Sequence, residues 1–154
     1  MESGKTIVVE SQMLIRRPAS ECFEAFVNPE ITTRFWFTRS SGRLAPGKKV
    51  RWEWEMFGVG DDITVTEWEE NRRIVGEWED DPTTVEWHFE AVGDNATLVR
   101  ISCRDFHGKE AEVLSQAIDT KGGYTMVLAG LKAWLEHGIE LNLVRDQFPN
   151  TAPV

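Results

Sequence analysis

The stretch that decides the fold is Gly122-Gly123-Tyr124-Thr125-Met126-Val127-Leu128-Ala129-Gly130-Leu131-Lys132-Ala133-Trp134-Leu135-Glu136-His137-Gly138. Its apolar residues recur at a spacing of three and four, which places them on one side of an α-helix. The chain before it, from about residue 50 to 104, is typical of short strands separated by turns. We therefore predict one long helix, from about residue 120 to 145, held against a sheet with a cavity between them.

Turn signals recur about every ten residues in this strand-rich segment, which is typical of an antiparallel sheet. Five strands are predicted there, at residues 50–57, 63–68, 73–79, 84–90 and 97–104, and a further strand at residues 6–16. Their alternation gives one aromatic, apolar face and one charged face, so one side of the sheet should be covered. Two short helices should follow the first strand, one opening at residues 18–21 and one at residues 28–30, and residues 40–48 should form a loop.

The prediction is an α+β fold, in which a curved antiparallel sheet of about six strands wraps around a long C-terminal helix. No internal repeat or linker interrupts the chain. Residues 1–154 should therefore form a single domain, with its core at about 6–146 and a C-terminal tail at 147–154.

Composition argues against several kinds of partner. The formal net charge is −9 and Lys/Arg residues never cluster beyond two in a row, so nucleic acid and anionic membrane surfaces are poor candidates. No apolar run approaches the roughly 20 residues of a membrane span, and the first residues lack an apolar signal core, which predicts a cytoplasmic protein. Cys22 and Cys103 should then be reduced, buried thiols rather than a disulfide.

Motifs for metal and cofactor chemistry are missing from the sequence. Two cysteines and three scattered histidines do not have zinc-site spacing, and there is no phosphate-binding loop or nucleophile elbow. We therefore predict neither metal nor cofactor, and no nucleophile–base pair can be named.

Several short sequence segments are similar to those of a known superfamily. They are Pro18-Ala19-Ser20-Glu21-Cys22-Phe23-Glu24-Ala25-Phe26, Asn28-Pro29-Glu30 leading to Phe35-Trp36-Phe37, Arg72-Arg73-Ile74-Val75-Gly76-Glu77-Trp78, and Gly123-Tyr124…Leu128…Leu131-Lys132…Leu135-Glu136…Gly138. In this order they resemble the START-like (SRPBCC) helix-grip superfamily, in the branch related to the C-terminal domain of the heat-shock-protein ATPase activator. Tyr124 departs from the branch, which usually has tryptophan there, and brings a hydroxyl that needs a partner.

The resemblance implies a helix-grip fold but no single function, because the superfamily includes lipid carriers, hormone-binding proteins, polyketide cyclases and co-chaperone modules. Seven tryptophans stand against one tyrosine, and large rings that face a helix either line a pocket or fill the core. The candidate ligand-binding residues are Trp52, Trp54, Met56, Val65, Trp78, Trp87 and Phe89 on the sheet, Tyr124 and Leu128 on the helix, and Trp36 and Phe37 near an entrance formed by the two short helices.

Three residues are candidate acid/base groups. Strict alternation points Glu67 inward, although a bulge near Trp68 would expose it. His107 lies where the last strand leaves the sheet and otherwise belongs to a solvated loop. Asp119 lies at the expected start of the long helix, where a capping role is the simpler interpretation.

The leading hypothesis is a small cytoplasmic protein that holds a hydrophobic or aromatic molecule between sheet and helix. The alternatives are a polyketide cyclase- or hydrolase-like enzyme on the same scaffold, or a co-chaperone-like module that binds an ATPase. A homodimer is a further hypothesis, because apolar residues continue beyond Gly138 where a gripped helix needs less cover: Leu141, Leu143, Val144 and Phe148.

Overall fold

A computed structural model describes residues 7–80 and 82–149. Its strands form one antiparallel sheet in the order β1-β7-β6-β5-β4-β3-β2, so the first strand closes against the last. The sheet has seven strands rather than about six: β1 Val9–Ile15, β2 Arg39–Ser40, β3 Lys49–Trp54, β4 Val59–Glu69, β5 Arg73–Trp78, β6 Thr84–Ala91 and β7 Thr97–Arg104. The α+β helix-grip fold is confirmed. Residue 6 of the predicted first strand and residues 150–154 of the predicted tail lie outside the described residues.

Two short helices follow β1, as predicted. Helix α1 spans Ala19–Val27 and buries Cys22, Phe23 and Phe26. Helix α2 spans Pro29–Thr32, and the Asn28 side chain caps it by accepting a hydrogen bond from the Glu30 amide.

The long helix, α3, runs from Glu110 to His137, so the predicted limits of about 120 and 145 are wrong at both ends. It begins earlier, where the Lys109 amide donates to Glu112 Oε1, and its first turns already carry apolar residues at helical spacing, of which Leu114 and Ile118 are exposed. It ends at His137 because Gly138 adopts the left-handed conformation, with φ of 66°, that terminates helices. Leu143–Asp146 forms a separate short helix, α4.

The strand boundaries also differ from the prediction. Residues Glu55–Phe57 form a 3₁₀ turn that ends at Gly58, so β3 stops at Trp54 and β4 starts at Val59. The extra strand β2 overlaps the predicted loop 40–48 at Ser40 and pairs with β3. A register shift between Val65 and Glu67 marks a bulge in β4. Beyond it Glu67 points outward and Trp68 packs on Phe23, with ring centroids 5.1 Å apart.

Helix α3 is fastened along the edge strand β1. Lys132 Nζ donates a hydrogen bond to the Leu14 carbonyl at 2.9 Å, and the Arg16 amide donates to Glu136 Oε2 at 2.7 Å. Lys132 also pairs with Glu136 at 2.7 Å. Lys132 and Glu136, which belong to the family-like segment of the long helix, thus have a structural role, because they join the helix to the end of β1.

Candidate ligand pocket at the mouth of the groove

A cluster of aromatic rings fills the middle of the space between sheet and helix. Trp36 lies at its centre, and Phe37 stacks on Trp52 with centroids 4.4 Å apart. The rings that Trp36 contacts are those of Phe26, Phe37, Trp52, Trp54, Trp78, Trp87 and Tyr124, all with centroids within 6.3 Å. Packing of this kind leaves no room for a ligand at that point.

Five of the predicted ligand-binding residues belong to this packed core. They are at most 4% exposed and border neither of the two pockets beside the cluster: Trp52, Val65, Trp87, Phe89 and Leu128. Trp87 Nε1 is buried without a hydrogen-bond acceptor among the described residues, which is a cost to the fold. The sequence left open whether the large rings line a pocket or fill the core, and these five residues fill the core.

An open pocket of about 230 Å³ remains at one end of the groove. Trp54 and Trp78 form its aromatic wall on the sheet side, and Tyr124 faces them from α3. The other lining residues are Val59, Gly60, Asp61, Thr83, Cys103 and Thr120. We call this space the mouth pocket. It contains three of the predicted ligand-binding residues, together with residues that the sequence did not indicate.

Two glycines of α3 show that the helix packs less tightly towards Tyr124. Gly123 and Gly130 are seven residues apart and so lie on the same side of the helix. A Cβ at Gly130 would lie 3.0 Å from Phe35 Cβ, whereas a Cβ at Gly123 would meet nothing within 4 Å. The helix is therefore in tight contact with the chain at Gly130 and stands clear of it at Gly123, next to Tyr124.

Asp61 supplies the carboxylate of the mouth pocket. Its Oδ1 accepts hydrogen bonds from its neighbour Asp62 N at 2.7 Å and from Asp80 N at 2.8 Å, which hold the side chain in place. Asp61 is not among the predicted site residues, because it falls between the predicted strands 50–57 and 63–68. With β4 beginning at Val59, the alternation of Val59, Asp61 and Ile63 places Asp61 on the inward face.

A second pocket, of about 190 Å³, lies on the other side of the ring cluster. Trp36, Phe37 and Met56 border it, and the chain at residues 140–145 covers it. Trp36 and Phe37 thus adjoin a pocket closed by the C-terminal segment, not an entrance between α1 and α2. Val144 packs against the core, while Leu141 and Phe148 are 47% and 57% exposed.

None of the three acid/base candidates borders either of these pockets. Glu67 is exposed on the outer face and pairs with Arg73 Nη1 at 2.6 Å. His107 is exposed in the loop after β7. Asp119 is exposed within α3, so its predicted capping role is wrong. The cap lies at Lys109, whose amide donates to Glu112 Oε1 at 2.9 Å.

A strongly perturbed carboxyl group lies on the outer face of the sheet. Burial alone would raise the pKa of Glu86. Hydrogen bonds from Arg73 Nε at 2.8 Å and Arg104 Nη1 at 2.7 Å, together with a contact to His88, outweigh it and lower the pKa to about 2. In the core, burial raises the pKa of the Cys22 thiol to about 11. Cys22 and Cys103 are both buried and form no disulfide.

Within the described ranges, no group of three His, Cys, Asp or Glu residues is arranged to hold a metal ion. No helix in the same ranges has both the length and the hydropathy needed to cross a membrane.

Comparison with known proteins identifies the family. The sequence profile described as "Activator of Hsp90 ATPase homolog 1-like protein" matches residues 16–136. The chain belongs to this AHSA1 family. The match begins at the end of β1 and ends at the Lys132–Glu136 pair, so it covers most of the sheet, α1, α2 and α3. The predicted resemblance to this branch of the helix-grip superfamily is confirmed. No curated protein sequence is significantly similar to the chain.

Solved structures of similar proteins share the AHSA1-type fold. A protein from Staphylococcus saprophyticus is 29% identical, with a TM-score of 0.76 over 88% of this chain and 96% of its own. The Aha1 dimer from Colwellia psychrerythraea is 18% identical, with a TM-score of 0.72 over 86% of this chain and 98% of its own. An HSP90 activator from Plasmodium falciparum is 20% identical, with a TM-score of 0.68 over 84% of this chain and 96% of its own.

Proposed function

We propose that this protein is a cytoplasmic binding protein that holds a small aromatic or hydrophobic molecule in the mouth pocket. The observation that carries the proposal is an aromatic wall, Trp54 and Trp78, that stays open to a ligand while the rest of the ring cluster is packed shut. Ligand sites are typically concave and aromatic, with a few fixed polar groups. Here Thr83, Thr120 and Asp61 are the polar groups.

The size of the mouth pocket limits the ligand. At about 230 Å³ it is smaller than most drug-sized sites, so it suits one or two fused rings rather than a sterol or a fatty acid. The ring centroids of Trp54 and Trp78 are 6.3 Å apart, which leaves no space for a ligand between the two rings. A planar ligand would therefore contact them only from the pocket side, and would reach Tyr124 across it.

A pair of neighbouring glycines offers a matched test. Gly123→Leu would add a side chain at a half-buried position next to Tyr124, which lines the mouth pocket, while Gly122→Leu would add one at the exposed position before it. Both changes alter helix propensity equally. Binding of two-ring aromatic compounds is measured by isothermal titration calorimetry, and folding by thermal unfolding.

We expect the wild-type protein and Gly122→Leu to bind the compounds with the same affinity. The affinity of Gly123→Leu should be at least about tenfold lower, although the variant remains folded. Equal binding by both variants would place the ligand elsewhere and refute the mouth pocket as its site. Absence of saturable binding across a panel of one- and two-ring compounds, with no ligand-induced rise in melting temperature, would refute the binding function.

A co-chaperone-like role is the second candidate, and the family match favours it. The chain also carries a net charge of −9, which would attract a basic surface on an ATPase partner. This role predicts stimulation of Hsp90 ATPase turnover that weakens as salt is raised. Gly123→Leu should leave such stimulation unchanged, because the mouth pocket is not part of the outer surface. The enzyme hypothesis has less support, because none of its three acid/base candidates lies at a pocket of the groove.

A further inference from the structure

We propose that the ligand of the mouth pocket is a cation, an aromatic or aryl-substituted amine, selected by Asp61 together with the Trp54, Trp78 and Tyr124 rings. This inference rests on the proposed binding function and specifies the chemical class of its ligand. Three observations support it: the position of Asp61 in the sheet, the hydrogen bonds of its side chain and the aromatic wall beside it.

Strand register places Asp61 on the inward face, beside Trp52 on β3. Within the described strands every other charged side chain falls on the outward face, including its neighbours Asp62 and Glu53. A charge on the apolar side of a sheet is unfavourable unless something compensates it. The position of Asp61 is therefore an exception that needs a physical reason.

Two backbone amides satisfy only part of this carboxylate. Both of the hydrogen bonds described for Asp61 go to Oδ1, and its Oδ2 has no described partner. The nearby cations are engaged elsewhere: Arg51 and Lys49 both pair with Asp62, on the outward face. Among the described residues that line the mouth pocket, none is basic. A cationic ligand in the pocket would pair with Oδ2 without displacing either amide from Oδ1.

The aromatic lining favours the same class of ligand. Indole and phenol rings attract cations through the negative potential of their faces, and indole does so most strongly. Trp54, Trp78 and Tyr124 supply three such rings around a pocket that also contains the carboxylate. An anionic ligand would meet both the ring faces and Asp61 unfavourably. The net charge of −9 adds a general preference for cations during association.

The test is a series of naphthalene compounds that differ only in charge: 2-naphthylmethylammonium, 2-naphthalenemethanol and 2-naphthoate. We expect the ammonium compound to bind about tenfold more tightly than the alcohol, and the carboxylate to bind most weakly. The preference should shrink as salt is raised. Isothermal titration calorimetry measures all three affinities on the wild-type protein, so this part of the test does not depend on any variant.

Asp61→Asn then identifies the source of the preference. Asparagine keeps an Oδ1 acceptor for the Asp62 and Asp80 amides, so the hairpin should stay intact while the charge is lost. Affinity for the ammonium compound should fall to that of the alcohol, and affinity for the alcohol should not change. Asp62→Asn is the control, because it removes the same charge from the outward side of the strand and should leave the preference intact.

The outcomes separate the inference from the function beneath it. If the alcohol binds as tightly as the ammonium compound, or if Asp61→Asn retains the preference, the inference is wrong and the binding function stands. If none of the three compounds binds and none raises the melting temperature, the binding function itself fails, and the inference fails with it.

Discussion

The outer-face carboxylate Glu86 makes a quantitative prediction about stability. Its pKa falls from an ordinary value of 4.5 to about 2 because two arginines and a histidine surround it. A difference of this size between the folded and unfolded chains corresponds to about 3 kcal/mol. Since Arg73 and Arg104 are themselves partly exposed, water and salt reduce the contribution. We expect Glu86→Gln to lower the free energy of unfolding by about 2 kcal/mol near neutral pH.

The pH dependence has a definite sign. The folded pKa is lower than the unfolded one, so the stabilisation is fully present above about pH 4.5 and is lost as the pH falls towards about 2. Glutamine does not titrate. The difference between the wild-type protein and Glu86→Gln should therefore shrink steadily across that window.

Urea denaturation near pH 7 and at about pH 3 measures the effect, with linear extrapolation to zero denaturant. The matched control is Glu77→Gln, which removes an exposed carboxylate from the same face of the sheet. It should change stability by less than about 0.5 kcal/mol at either pH. A loss for Glu86→Gln no larger than that of the control, or one that does not shrink at low pH, would refute the reasoning.

Three further predictions concern the helix and the ring cluster. Gly122→Ala should raise the free energy of unfolding by about 0.5–1 kcal/mol, because Gly122 is exposed in mid-helix and a Cβ meets no atom within 4 Å; a lower melting temperature would contradict this. Glu136→Gln should cost about 1–2 kcal/mol in urea denaturation, because it weakens the bonds from Lys132 and the Arg16 amide; a neutral result would show that the link to β1 is dispensable. Trp36→Ala should cost about 3–5 kcal/mol, because its ring is the centre of the buried cluster; a loss below about 1 kcal/mol would show that the cluster is loosely packed.

The parts of the fold that follow from local periodicity were predictable. The stripe of residues 124–135 identified α3, and the alternation of β5, β6 and β7 placed Trp78, Trp87 and Cys103 on one face. Such patterns are set by neighbours within a few residues, so they can be recognised without knowing the rest of the chain. The first turns of α3 also have apolar residues at helical spacing, and the prediction missed them because it started the helix at about residue 120.

The mouth pocket depends on contacts that no local pattern records. A 3₁₀ turn at Glu55–Phe57 advances the start of β4, and that advance brings Asp61 opposite Trp52. Trp36 fills the groove because the segment after α2 brings it against the rings of Trp52 and Trp78, which are distant from it in sequence. Each outcome couples segments that are distant in sequence, through strand register and helix docking.

By itself, then, the amino-acid sequence determined the helix-grip architecture, the aromatic character of the inward face and the charged character of the outer one. Tertiary structure decided which rings pack against each other and which remain open to a ligand. The physical reason is that the repeat of apolar residues along the chain indicates which face of a helix or strand is buried. A cavity, in contrast, is the space that side chains from different elements leave unfilled when they pack together. Strand register places Asp61 in the mouth pocket, and the register shift in β4 places Glu67 on the outward face.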